Sequence, residues 1–180
     1  MHRTTHIRLM ANYNQWMNTT LLSTLQSLSH EQLTQNQGAF FGSIMGTLNH
    51  ITVGDTIWLK RFAKHPASHA ESLAFHRLAP IHKLNHPLFN TLPELADYRT
   101  KLDSQIILWV EALSEADLDE TLVYENMQGI VARKNFFSLL MHFFNHQTHH
   151  RGQVSTLLSQ NGVDFGDTDL VLLIPNDIER

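Results

Sequence analysis

Four of the chain's 13 histidines fall within residues 142–153, His142-Phe143-Phe144-Asn145-His146-Gln147-Thr148-His149-His150-Arg151-Gly152-Gln153. A helical pattern runs through this stretch from about Asn135 to Gln160. On a helix, residues four apart stand one turn above the other on one face. His142, His146 and His150 therefore form a row, with His149 and Gln153 near the same side. Two neutral imidazoles spaced this way can share a divalent ion, and imidazole suits zinc, nickel, copper or iron. The alternative is plainer: histidines four apart also occur as an ordinary polar helix face.

His146 and His150 have the spacing of the metalloprotease motif H-E-x-x-H. The acid of that motif is the general base. Here its position holds Gln147, and an amide cannot take up the proton. No Asp or Glu occurs from Asn135 to Val163. The spacing points to a metal and away from that kind of peptidase.

The elements that must position these side chains follow from hydrophobic periodicity. Residues 4–28 carry Met10, Tyr13, Met17, Leu21, Leu25 and Leu28 at steps of three and four, which predicts an amphipathic helix. Trp16 lies beside that stripe, and both it and Tyr13 read as core residues or as walls of a metal pocket. Ser29-His30-Glu31-Gln32 matches a capping box. Residues 40–63 read as a second helix, apolar over much of its circumference, with His50 at its middle. Gly42, Gly46 and Gly54 each cost about 1 kcal/mol in a helix interior relative to Ala, which predicts close approach of a neighbour. Asp55 lies about 140° round this helix from His50, so it reads as a supporting or helix-linking group.

Residues 64–91 form a long irregular connection with His65, His69, His76, His82 and His86, read as solvated surface groups. Thr91-Leu92-Pro93-Glu94, with Thr91 as N-cap, Pro93 in the first turn and Glu94 at the capping-box position, starts a third helix that runs to about Leu113, and Ser114-Glu115-Ala116-Asp117 is a capped turn. Residues 120–134 suggest a two-stranded hairpin that must pack on the helices. Asn135 is a plausible N-cap for the histidine helix, and Asn161-Gly162 its stop. The tail, with Leu170 to Ile174 apolar, is expected to lie back over the bundle or on an oligomer partner. The fold expected is all-α: a four-helix bundle with a small β-hairpin before the last helix, in one domain spanning 1–180.

Composition narrows the function. There are no cysteines in the 180 residues, which excludes disulfides, thiolate zinc sites and a cysteine nucleophile. A net charge of −4 gives no electrostatic footprint for nucleic acid or an anionic membrane. No signal peptide or long apolar run is evident, so a cytoplasmic location is the default expectation.

The chain resembles the DinB family, within the wider DinB/YfiT-like group of metalloenzymes. The resemblance is carried by Ala11-Asn12-Tyr13-Asn14-Gln15-Trp16-Met17-Asn18 and by Leu48-Asn49-His50-Ile51 with Asp55 and Trp58. It continues through Asn145 to Gln153 and through Gly162-Val163-Asp164-Phe165-Gly166-Asp167-Thr168-Asp169, so it extends over essentially the whole chain. It implies a bundle in which His50, His146 and His150 bind one divalent metal ion, with zinc the first choice and nickel the second. It also implies a homodimer. Superfamily relatives include thiol-dependent transferases and isomerases that use glutathione, mycothiol or bacillithiol. The family name refers to induction by DNA damage, a stress-related statement about expression.

Three neutral imidazoles would leave the ion its full charge and an open position. A water there has its pKa lowered to about 7 in a well-formed zinc site, and a thiol would be presented as a thiolate. The expected function is thus a metal-dependent thiol (S-)transferase acting on a small-molecule substrate, with a thiol cosubstrate. A metal-dependent hydrolase and a non-catalytic protein with a structural metal site are the alternatives. Ligand imidazoles must be neutral, so metal should be lost on going from about pH 7.5 to about pH 5. His142 reads as a fourth ligand, a pocket wall or a core-edge histidine. His149 reads as a supporting or surface group, and Arg151 and Gln153 as groups that orient ligands or fix the neighbouring helix.

Overall fold

A computed structural model describes residues 2–66, 69–81, 83–84 and 87–176. Four long helices dominate it: α1 (Arg3–Leu25), α3 (Ile44–Phe62), α4 (Leu92–Ala112) and α6 (Phe136–Gln160). Two one-turn helices, α2 (His30–Thr34) and α5 (Glu115–Asp119), and an antiparallel hairpin, β1 (Thr121–Glu125) with β2 (Val131–Asn135), complete the main elements. The expected all-α bundle with a hairpin before its last helix is the observed architecture. Among the described residues no helix is long and apolar enough to cross a membrane.

The helix ends follow local chemistry. Ser29 and Ser114 each form a reciprocal capping box, with Gln32 and Asp117. Asn135 accepts a hydrogen bond from Ser138 N at 3.0 Å and starts α6 where the sequence places it. Beyond Gln160 the chain leaves the helix through Gly162 at φ +72. Thr91 departs from its expected role: its hydroxyl donates to Glu94 Oε2 at 2.7 Å instead of capping the backbone. The second long helix also begins later than its apolar pattern implies. Gly42 adopts φ +79, turning the chain before Ser43 caps α3 through Gly46 N. Phe40 and Phe41 thus belong to the turn.

The 64–91 connection is partly ordered by burial. A 3₁₀ segment, Ala70–Arg77, inserts Phe75 fully into the core. His65, expected at the surface, is buried and stacks on Phe136 with ring centroids 4.0 Å apart. His69 pairs with Asp117 at 3.0 Å, and His76 is exposed. His82 and His86 lie outside the described residues. In the tail, Phe165, Leu170 and Leu173 lie back on the bundle.

The core has two apolar clusters. One gathers around Phe62, Trp109, Phe136 and Phe143, and the other around Met17, Leu21, Leu48 and Leu158. Among the helices, α1 packs most extensively on α4 and α3 on α6. The bundle also encloses a buried polar group of residues. Asn14 and Asn18 of α1, Asp55 of α3, Arg99 and Asp103 of α4, and Gln147 and Arg151 of α6 are all at most 5% exposed.

Arg99 is the centre of this group. Its guanidinium pairs with Asp55 through one nitrogen and with Asp103 through the other at 2.6 Å. Asp103 in turn accepts from Asn14 at 3.0 Å and from Asn18 at 2.9 Å. Arg151 closes the network from α6 by donating to the side-chain oxygens of Asn14 and Asn18. Two carboxylates therefore face two guanidiniums, the balance that buried charge requires.

Candidate metal centre

Helix α3 supplies His50, and α6 supplies His146 and His150 one turn apart. The packing of α3 on α6 brings the three rings together. One nitrogen from each lies within 4.8 Å of the others. His50 Nε2 and His146 Nε2 are 3.2 Å apart. Ligand nitrogens about 2.0–2.1 Å from a tetrahedral ion stand roughly 3.3 Å from one another, so this pair already has the spacing that an ion would impose. The donor set is all imidazole, and it fits a divalent ion.

The ring orientations are held from behind. His150 Nδ1 faces Gln153 Oε1 at 2.8 Å, which fixes the tautomer with the proton on Nδ1 and leaves Nε2 free as a ligand atom. His50 Nδ1 looks toward the Leu84 carbonyl at a long 3.5 Å. Phe41 lies flat on His50, with centroids 3.9 Å apart and planes at 17°, and meets His150 edge-on. It walls one side of the cluster.

Electrostatics keep the three imidazoles neutral. Burial and the neighbouring rings, His150 and His50 foremost, push His146 down to about 3. His50 and His150 are lowered too, chiefly by burial. Neutral imidazole is the form that binds a cation, so the fold favours the form of these rings that a metal would need.

Gly54 owes its place to this cluster. It sits one turn beyond His50, and a Cβ built there would meet His146 Cε1 at 2.8 Å. The close neighbour expected from glycine in this helix is thus the ring of a candidate ligand, His146.

His142 stands apart from the three. Its ring centroid is 6.0 Å from that of His146, and it packs edge-on against Trp58 at 5.1 Å. It serves as a wall of a hollow of about 380 Å³ that opens beside His50 and His146. His149 is exposed, and Tyr13 is a packing residue whose hydroxyl donates to the Thr168 carbonyl at 2.6 Å.

Gln147 faces away from the histidine row. It is fully buried beside Asp55, where its amide favours the carboxylate form without reaching good hydrogen-bond geometry. The position of the peptidase acid in this helix therefore points at the buried polar network. Asp55 fits the helix-linking role expected of it: it is sealed against Arg99, and burial outweighs that partner to lift its carboxyl to about 6. Arg151 fixes the neighbouring helix α1, and Gln153 orients a candidate ligand.

Sequence reasoning missed Arg99, Asp103 and Phe41. The i,i+4 spacing of Arg99 and Asp103 was a signal for the first two, and the Phe-Phe pair just before the Ser43 cap was a signal for the third.

Comparison with known proteins gives a consistent result. The DinB family model matches residues 1–179. The curated Protein DinB of Bacillus subtilis (strain 168) is 26% identical over 162 residues, covering 90% of this chain and 90% of that protein.

Proposed function

The chain belongs to the DinB family, and from that premise we propose that it is a metal-dependent thiol (S-)transferase acting on small molecules. His50, His146 and His150 would hold one divalent ion, zinc first and nickel second. One observation carries this reading: the three-histidine cluster borders an open hollow, where a cosubstrate has room to reach the ion. A site that served only to tie α3 to α6 would gain nothing from that opening.

When bound, the ion would supply a positive charge that lowers the pKa of an incoming thiol and favours its thiolate. The protein's own groups do the rest. Gln153 holds the His150 ring in its ligating tautomer, and Phe41 keeps water off one face of His50. Desolvation by the surrounding residues lowers the pKa of His142, which favours its neutral form, and the residue lines the hollow, where a ring nitrogen would take up the thiol proton. No carboxylate is among the described residues lining this hollow. Hydrolysis of an unactivated bond would lack a strong base there, which favours the thiol reading over the hydrolase. We extend the proposal to a homodimer, for which Val171, Leu172 and Ile174 offer exposed apolar surface on the tail.

Elemental analysis tests the reading on protein purified without a histidine tag or nickel column. Wild type should carry close to one divalent ion per chain, and His50→Ala and His146→Ala should carry none. Thiols should then protect the loaded site from chelators in a saturable way. Wild type that stays metal-free after incubation with zinc or nickel would sink the proposal.

A further inference from the structure

A second hollow, of about 540 Å³, adjoins the first, and the two share Ile57, Arg61, Asn126 and Met127 as lining. Arg61 is the residue of interest. It lies eleven residues after His50, which is about three helical turns and roughly 16 Å along the same face of α3. Gly54 and Ile57 fall between them on that face. One stripe of α3 thus runs from the histidine cluster to a guanidinium.

Arg61 is half-buried and clamped. Its Cζ lies 4.8 Å from the ring centroids of both Trp58 and Tyr124. Its Nη2 donates to the Glu125 carbonyl at 3.0 Å. A guanidinium has five N–H donors, and this is the one hydrogen bond that Arg61 makes among the described residues. No carboxylate lies within ion-pairing distance of it there, in contrast to Arg3, Arg8 and Arg99. Burial lowers its pKa, and the neighbouring Tyr124 hydroxyl offsets that only in part. Lys60 and Lys64 line the same hollow and add to the positive field, and Glu125 is the one acid in that lining.

A half-buried cation held by two aromatic rings, with donors left over and lining a cavity, is built to receive an anion. We infer that Arg61 is an anion-binding subsite: it receives a carboxylate or phosphate group of the small molecule whose other end reaches the three-histidine cluster. This rests on the reading of that cluster as the reacting end. It adds a substrate class, namely an elongated, anionic small molecule with a body that packs on Ile57 and Trp58. It also makes Arg61 the residue that sets binding, while the reaction itself proceeds at the far end.

The simplest alternative is that Arg61 only latches the hairpin to α3 through Tyr124 and Glu125. A latch would not respond to anions, and this separates the two roles. The experiment is a titration of the zinc-incubated protein, labelled with nitrogen-15, with inorganic phosphate in one arm and succinate in the other. Chloride at matched ionic strength is the background. The Arg61 Nε–H cross-peak, assigned by its loss in Arg61→Gln, should move saturably in at least one arm, with a Kd on the order of 1 mM for a bare anion. The Trp58 indole N–H should move with it. Arg61→Lys keeps the charge but loses the planar fork, and should bind about tenfold more weakly by the Trp58 signal.

Movement in the phosphate arm alone identifies a phosphate subsite, and movement in the succinate arm alone a carboxylate subsite. If neither anion moves the peak beyond chloride at about 50 mM in folded wild type, the inference is overturned. Metal content read on the same samples keeps the two readings apart. Metal bound with no anion response removes the subsite alone, and an anion response without metal removes the transferase proposal and the ligand's reach to the histidine cluster, while the Arg61 subsite stands.

Discussion

Replacing Gly54 by alanine should separate metal binding from folding. The new methyl would sit 2.8 Å from His146 Cε1, where ordinary contact begins at 3.4 Å. The imidazole must retreat by about 0.6 Å, roughly three times the 0.2 Å within which metal–ligand distances hold. The methyl has no other close neighbour, because the three nearest atoms all belong to the His146 ring. Loss of one well-placed ligand contact should weaken zinc binding by at least the 10–100-fold typical of disturbing a ligand's support. Helix propensity acts the other way, since Gly→Ala in a helix interior gains up to about 1 kcal/mol. The expected result is a protein whose melting temperature without metal is unchanged or higher, with zinc affinity down by at least tenfold in a chelator competition at neutral pH. Full zinc affinity in a folded Gly54→Ala protein would refute the assignment of His146 as a ligand, and a metal-free melting temperature several degrees lower would refute the separation of metal binding from folding.

Other outcomes follow from the same geometry. Neutral imidazole is favoured in the fold, with His146 held near 3 and His50 and His150 also lowered. Protons therefore compete with metal only below the ordinary His value of about 6.5, and zinc release followed with a fluorescent indicator should have its midpoint on the acid side of that value. A midpoint at 6.5 or above would contradict the electrostatic account. Arg99→Met leaves Asp55 and Asp103 buried without their cation and should cost about 3–5 kcal/mol in urea unfolding; a loss under about 1 kcal/mol would mean the network is not held by charge. Gln153→Ala removes the acceptor on His150 Nδ1 and should weaken metal binding about 10–100-fold with little change in stability. His142→Ala should leave metal content intact, because the ring stands outside the cluster; metal lost from that variant would make His142 a fourth ligand.

The parts of the molecule legible in the sequence were those decided locally. Asn135 and Asn161-Gly162 bound α6 by cap and stop chemistry, and the four-residue steps of its histidines fix which share a face whatever the helix packs against. The capping boxes at Ser29 and Ser114 are legible for the same reason, as is the hairpin, whose turn closes with Gly129 N donating to the Asn126 carbonyl at 3.0 Å and Gly129 at φ +77. The buried network was not, because its partners come from four helices. Arg99 and Asp103 look like an ordinary exposed i,i+4 pair until α1 and α3 present Asn14, Asn18 and Asp55 to them. His65 likewise looks like a surface residue of an irregular stretch until Phe136 covers it. Gly54 lies between the two cases: its cost in a helix predicted a close neighbour, and only the packing of α3 on α6 shows which atom that neighbour is.

The polar network also acts as an axial ruler for the bundle. Asp55 is five residues from His50 on α3, and Gln147 and Arg151 each directly follow a candidate ligand on α6. Sliding either helix by one turn, about 5.4 Å, would pull Asp55 from Arg99 or Arg151 from Asn14 and strand a buried charge. The register that satisfies the charges is the same register that brings the three imidazoles level. Alignment of the site is thus a by-product of neutralising the interior and needs no ion to enforce it. Calorimetry of metal uptake should accordingly show only a small heat-capacity change, the sign of a site that closes around its ion without further folding; a large negative change would mean that the helices come into register only when the metal arrives.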